Sequence, residues 1–264
     1  MVTGLLLAAG SVQAALTVQS NGTVYDDVRG ISWDQDANAV KTLCDAADPI
    51  WTSFVPSSGR ALATICASDG DLWWSEAVEW VAHLNANNYK GFTNWRLPEV
   101  TQPDPTCSDQ STDDPPQGFG YRCTGSELGH LFNAPAPAGL ENPNELDDNC
   151  NPDCFVNTAP FVNTREDIYR SGTDFAPDPT EAWEFNTRSG RQSAWPKTAD
   201  APATRYVWVV RPGALSPPRG STTCADTRYA CHGPDGAVAD RPGPGPTGGA
   251  FQQSITTGPE KSSA

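Results

Sequence analysis

The chain reads as an α+β domain with two short helices, antiparallel strands, long disulfide-tied loops and a flexible C-terminal tail. Three observations carry that expectation. A Trp-rich amphipathic segment, Leu72 to Tyr89, precedes the string Asn94-Trp95-Arg96-Leu97-Pro98. Strand-like segments stand at either end, from Leu16 to Trp33 and from Arg205 to Pro212. Eight Cys residues form local pairs, each bracketing a stretch of low complexity.

The elements follow in order. Leu16 to Trp33 reads as a β-hairpin, with turn signals at Asn21-Gly22 and Arg29-Gly30. Residues 36 to 70 read as a loop closed by Cys44 and Cys66. Ser75 is placed to cap a helix running to about Asn85, with Ala77, Trp80, Val81 and Leu84 on one face. Gly91 stops it, and Pro98 holds Leu97 extended. Glu99 to Arg122 is Pro-rich, acidic and tied by Cys107 and Cys123.

Thr124-x-x-Glu127 has the form of a capping box for a short helix through Phe132. Asn133 to Asn157 is irregular and carries Cys150 and Cys154. Ile168 to Gly172 is a candidate strand. Ala182 to Asn186 and Arg191 to Trp195 form a hairpin around Arg188-Ser189-Gly190. Trp183 and Phe185 alternate with polar residues, the pattern of a half-buried strand. Tyr206 to Val210 is continuously apolar and reads as the central strand. From Gly213 the chain is rich in Pro, Gly and Ser, which predicts flexibility outside a small Cys224–Cys231 loop.

Composition bounds the class. Pro and Gly fill 47 of 264 positions, which suits a loop-rich domain with a modest core rather than a helical bundle. Nine Trp residues supply large buried area from few positions. Val2 to Ala9 is apolar, and Ser11-Val12-Gln13-Ala14 offers small residues, so residues 1–15 read as an export signal cleaved near Ala14 or Ala15. A buried N-terminal strand is the competing reading. No later run approaches the roughly 20 apolar residues of a membrane span.

In an exported chain an even Cys count argues for disulfides. The expected pairs are Cys44–Cys66, Cys107–Cys123, Cys150–Cys154 and Cys224–Cys231, because closing such loops constrains the unfolded chain. Zinc is disfavoured, since the short C-x-x-C repeats of a zinc knuckle are missing. The expected location is therefore secreted or at the cell surface. Net charge is −15, and residues 99 to 154 hold eleven acids and one base, Arg122. That excludes nucleic acid as a partner, because phosphate binding needs clustered Lys and Arg.

Together these pieces resemble a family. They are Gly30-Ile31-Ser32-Trp33, Trp74-x-x-Ala77, Asn94-Trp95-Arg96-Leu97-Pro98 and Glu127-Leu128-x-x-Leu131. Then come Tyr169-Arg170-Ser171-Gly172, Ala182-Trp183-x-Phe185 with Ser189-Gly190, and Tyr206 to Arg211-Pro212. The order is similar to that of the Lcl C-terminal domain family, a bacterial domain of largely unknown function, over roughly residues 20 to 212. The resemblance implies a C-type-lectin-like core, related to the formylglycine-generating fold, across residues 16–212. Insertions would fall at 36–70, 99–123 and 133–157, with a tail at 213–264.

Two departures stand out against the family pattern. The insertion with Cys107 and Cys123 separates Trp-Arg-Leu-Pro from the Glu-Leu helix. Arg170 stands where an aromatic usually follows the Tyr. The formylglycine-generating activity uses reactive cysteines near the C-terminal end. No Cys lies between Cys154 and Cys224, so that activity is not carried over.

Trp74, Trp80, Trp95, Arg96, Leu97, Pro98, Trp183 and Trp208 are expected to be structural. The candidate metal site is Asp147, Asn149, Asn151 and Asp153, whose alternating oxygens suit calcium. A solvated acidic loop is the competing reading, since Pro152 replaces the Gly of a calcium loop and no Glu closes it. Gln102-Pro103-Asp104 and Glu141-Asn142-Pro143-Asn144 imitate the sugar-binding signatures of C-type lectins, but they sit in insertions and lack the partner motif. His83, His130 and His232 are the only histidines, no Gly-x-Ser-x-Gly elbow exists, and no catalytic residue is assigned.

The expected function is non-catalytic recognition of a glycan or surface polymer in adhesion, with calcium assisting. The alternative is a structural subunit of an extracellular fibre, binding copies of itself. An enzyme on a formylglycine-generating-like fold is third.

Overall fold

Asn21-Gly22 and Arg29-Gly30 are both turns, and they fold the first residues into an antiparallel meander. The computed structural model describes residues 15–143, 155–197 and 205–215. In it, β1 (Leu16–Val18), β2 (Thr23–Asp26) and β3 (Ile31–Asp34) pair with Val18 opposite Val24 and Val24 opposite Trp33. Gly22 and Gly30 take φ of 75° and 66°, the left-handed region that favours glycine.

Residues 36–70 are not a plain loop. They contain α1 (Ala39–Asp45), α2 (Pro49–Thr52) and α3 (Leu62–Ala67). Two caps explain the first pair. The Asn38 side chain accepts from Lys41 N, and Asp48 accepts from Ile50 N with Pro49 in the first helical position. Helices of four to seven residues are too short for an apolar periodicity to register. The Cys44–Cys66 disulfide ties α1 to α3.

The main helix, α4 (Trp74–Ala86), begins one residue before the predicted cap. Ser75 lies inside it, and the Glu76 carboxylate instead accepts from Trp73 N at 2.9 Å. Ala77, Trp80 and Leu84 are buried as the spacing predicts. Trp51, Phe54 and Trp80 form an aromatic cluster on that face, with Phe54 and Trp80 centroids 5.2 Å apart. Trp95 is buried, its indole N–H donating to Tyr89 O at 3.0 Å. Asn85 clasps the Trp95 backbone from both sides, at 2.7 and 2.9 Å.

The insertion after Glu99 folds into a small hairpin, β4 (Asp109–Gln110) and β5 (Gly118–Phe119), under the Cys107–Cys123 disulfide. The second helix, α5 (Glu127–Asn133), is capped by Ser126, whose hydroxyl accepts from Gly129 N at 3.1 Å. Thr124 therefore lies outside the cap, and Glu127 is the first helical residue, its carboxylate held by Arg96.

The second sheet orders β6 (Ile168–Asp174), β7 (Glu181–Asn186) and β8 (Arg191–Pro196) antiparallel. Gly120 and Gln192 exchange both backbone bonds, at 2.9 and 2.7 Å, so the insertion docks on the edge of β8. Trp183 and Phe185 are buried as expected, but Glu184 between them is buried too, so β7 is covered on both faces.

The closing segment is not a central strand of one sheet. Tyr206 N donates to Ile168 O and Tyr206 O accepts from Arg170 N, so the segment first joins β6. It then crosses over, and β9 (Val210–Pro212) pairs antiparallel with β3. Its alternation explains why the whole run is apolar. Tyr206, Trp208 and Val210 enter one core with Trp33, Tyr169 and Phe185, whereas Val207 and Val209 enter the other with Trp80, Trp95 and Leu97. A strand buried on both faces has no polar side.

Candidate functional site

The two lectin-like tripeptides turn inward. The Gln102–Pro103 bond is cis, but the Gln102 carbonyl accepts from Gly118 N at 2.7 Å and Asp104 N at 3.1 Å. The Asp104 carboxylate accepts from Thr106 N, the Thr106 hydroxyl and Gly125 N. Asn142 is buried, accepting from Asn157 N and donating to Asn157 O. The side-chain carbonyls of Gln102 and Asn142 and the Asp104 carboxylate thus stitch loops together. Asn144, the calcium candidates Asp147, Asn149, Asn151 and Asp153, the pairs Cys150–Cys154 and Cys224–Cys231, and His232 lie outside the described residues.

Two groups among the described residues bring potential metal ligands close: Cys44, Asp45 and Cys66, and Asp104, Cys107 and Cys123. In each, the sulfurs are joined as a disulfide and so hold no thiolate for a metal. His83 stacks on Trp80 and hydrogen-bonds the Ile50 carbonyl oxygen at 2.7 Å. His130 lies near Asp26 and Arg29, and burial, then the Arg29 charge, lowers its pKa. A shallow cavity of about 490 Å³ beside Leu140, Glu141, Val156 and Asn157 has polar groups already bonded to neighbouring backbone.

One face of the second sheet concentrates buried charge. Register places Arg170 of β6 opposite Glu184 of β7, and Glu184 opposite Ser193 of β8, on the face away from Trp183 and Phe185. Two residues along β8, Trp195 is on the same face. Arg205 lies across this row. Its Nε donates to Glu184 at 2.6 Å, its Nη2 donates to the same carboxylate at 3.3 Å, and its guanidinium sits 5.4 Å from the Trp195 ring centre. Arg170, Glu184 and Arg205 are 3%, 3% and 2% exposed, whereas Trp195 is 43% exposed.

The face continues toward α4. Lys197 Nζ lies 4.5 Å from the half-buried Trp74 ring and pairs with Asp174 at 2.6 Å. The Trp74 indole donates to Ser171 O at 3.3 Å. The other residues expected to be structural sit deeper: Trp80, Trp95, Leu97, Pro98, Trp183 and Trp208 are buried, and Arg96 is half-buried.

Two guanidinium groups face Glu184, and the hydrogen bonds to its carboxylate come from Arg205. Arg170 is pushed down to about 10, by burial first and by the Arg205 charge second. Burial holds Glu184 above the ordinary carboxylate value, against the pull of Arg205. Asp71 also acts on Arg170; Arg60 is shared between Asp71 at 2.6 Å and Glu76 at 3.0 Å, so three guanidinium groups face three carboxylates here. Arg170 Nε and Arg205 Nη1 are enclosed without a hydrogen-bond partner.

Sequence reasoning singled out Arg170 as a departure but missed Glu184, Trp195 and Arg205 as its neighbours. An Arg within one strand and a Glu within another are visible; their opposition depends on register. In such an assembly the buried ion pair backs the exposed indole, which is free to cover an apolar surface.

The fold and this surface define the class: an α+β domain with disulfide-tied insertions and a charged, Trp-edged sheet face. The chain belongs to the Lcl C-terminal domain family, whose model matches residues 22–211. No curated protein and no solved structure matches the chain.

Proposed function

We propose that this chain is an exported, non-catalytic recognition module of C-type-lectin-like build that binds a glycan or extracellular surface polymer in adhesion. The carrying observation is Trp195, exposed above the guanidinium of Arg205 on the outer face of β8. A sugar ring offers a C–H face that packs on an indole and hydroxyls that pair with charged donors and acceptors. The buried Arg205–Glu184 pair lies against that indole and backs it from the protein side. Disulfides support an oxidising location, and no helix among the described residues is long and apolar enough to cross a membrane. Calcium assistance through Asp147, Asn149, Asn151 and Asp153 belongs to the same proposal.

Glycan-array binding of wild type and Trp195→Ala tests the reading. Retention of a defined glycan class by wild type and its loss in the variant support it. No retention by folded protein counts against it. Equal binding by both moves the site elsewhere. Sedimentation separates the alternative: a discrete small species fits a binder, and polymers fit a fibre subunit. Export is tested by N-terminal sequencing of secreted protein, which should begin near Ala15 or Leu16.

A further inference from the structure

The start of β1 is held at two successive backbone nitrogens. Leu16 N donates to Pro137 O at 3.0 Å, and Ala15 N donates to Asp27 Oδ1 at 2.8 Å. Register explains the second contact: Leu16 lies opposite Asp26, so Ala15 comes opposite Asp27. The two acids have different tasks. Asp26 is buried and braces the turn, its carboxylate accepting from Val28 N and Arg29 N at 3.0 Å each. Asp27 is exposed, and no Lys, Arg or His among the described residues ion-pairs with it. Its carboxylate thus meets a neutral backbone donor where a cation would bind more strongly.

The sequence before Ala15 bears on the same atom. Residues 1–14 lie outside the described residues. Val12 and Ala14 stand three and one positions before the Ala14–Ala15 bond, the spacing of small residues that an export peptidase reads. Moving the cut one residue on places the long, polar Gln13 in the outer position. It would also remove the residue that Asp27 holds.

We propose that export processing cuts between Ala14 and Ala15, and that the α-ammonium so released pairs with the Asp27 carboxylate. The inference rests on the export reading and fixes its scissile bond and a role for the new terminus. Water adds across the peptide bond. Its oxygen joins the Ala14 carbonyl carbon as a carboxylate, and both its protons end on Ala15 N. The peptidase of the export machinery supplies the catalysis. One neutral donor becomes an ammonium with three donors, at a point where a carboxylate already accepts. A three-residue strand at a chain end frays readily, and the ion pair closes it onto the turn between β2 and β3. Leu16 packs against the core of Trp33 and Trp208 and holds Ala15 in reach.

The test uses the full chain exported and recovered from outside the cell. N-terminal sequencing should read Ala15-Leu16-Thr17. Melting temperature is then compared in four proteins: wild type, Asp27→Asn, a chain with one glycine inserted between Ala14 and Ala15, and that chain with Asp27→Asn. The inserted glycine moves the ammonium one residue away from Asp27. Asp27→Asn should lower melting by about 1–3 °C in the chain that starts at Ala15, as expected of an exposed ion pair. The drop should be less than half as large in the extended chain, and high salt should shrink it in the first. If the extended chain is cut elsewhere, cyanate carbamylation of the wild-type α-amino group, which removes its charge, takes its place.

Secreted protein that begins at Leu16 or beyond overturns the assignment while export stands. A start at Ala15 with equal effects of Asp27→Asn in both backgrounds, or none in either, rejects the ion pair and leaves a backbone hydrogen bond only. Protein that keeps Met1 and stays inside the cell sinks both the export reading and this one.

Discussion

Arg96 and Glu127 form a two-bonded ion pair, with Nη1–Oε2 at 2.7 Å and Nη2–Oε1 at 2.6 Å. The pair joins the Trp-Arg-Leu-Pro string to the first turn of α5. The same Glu127 carboxylate accepts from Glu99 N at 2.7 Å, and Glu127 N donates to Glu99 O at 3.0 Å. Glu99 opens the insertion, and Glu127 starts the helix that follows it. The chain therefore leaves the domain and returns to it within hydrogen-bond reach, so 27 intervening residues leave the joined elements in place. Loop-closure entropy grows slowly with length, which makes such an insertion tolerable.

Glu127→Ala should destabilise the domain by about 2 kcal/mol, because Glu99 N loses its acceptor and Arg96 keeps only Leu97 O and the Glu99 carboxylate. Urea unfolding measures it. Arg96→Met should cost less than Glu127→Ala, since the carboxylate keeps its backbone donor. Equal stability of wild type and Glu127→Ala would remove the clasp from this account.

Loss of the Cys44–Cys66 disulfide should cost about 2–5 kcal/mol. It ties α1 to α3 against the core that holds Trp51, Phe54 and Trp80. Cys224–Cys231, in the tail, should matter less. Thermal unfolding of Cys44→Ala/Cys66→Ala and Cys224→Ala/Cys231→Ala compares them, and equal losses would contradict the ranking. Non-reducing peptide mapping should find Cys44–Cys66 and Cys107–Cys123 linked.

His130 should make stability fall on mild acidification. Burial and Arg29 lower its pKa below 6.5 in the fold, with Asp26 pulling the other way. The unfolded chain then binds the proton more readily, so stability declines as pH falls from 6.5 toward the lowered folded value. Asp26, whose pKa is raised by burial, has the opposite sign: stability is gained as pH falls through its raised value toward 3.8. Melting temperature against pH for wild type and His130→Gln should show the first decline only in wild type. Parallel curves would rule the histidine out.

Calcium should raise the melting temperature beyond what sodium does at equal ionic strength. The stabilisation is RT ln(1 + [L]/Kd), or about 2.7 kcal/mol at a hundredfold excess over Kd. The effect should vanish in Asp147→Ala/Asp153→Ala. If sodium matches calcium, the acidic stretch responds to screening alone.

Local chemistry determined much of this protein by itself. Asn21-Gly22 and Arg29-Gly30 specify turns because glycine alone enters the left-handed region without cost. Ala77, Trp80 and Leu84 specify a helix face because their spacing matches its period. Cys44 with Cys66 and Cys107 with Cys123 were legible as local pairs, and the family order was legible from short motifs around them. The start of α4 and the cap of α5 were misplaced because Ser75 and Thr124 are good caps in isolation. The backbone donor at Trp73 instead found Glu76, and Arg96 claimed Glu127.

Tertiary structure alone decided the rest. The continuous apolar run from Tyr206 to Val210 announced burial, but not that it crosses from β6 to β3 between two cores. Arg170, Glu184 and Arg205 are separated along the chain by 14 and 21 positions, and each reads singly as an ordinary surface charge. Strand register makes them neighbours, and packing removes water from around them. An isolated charge in water prefers no partner in particular. A buried one takes its properties from whatever the fold sets beside it.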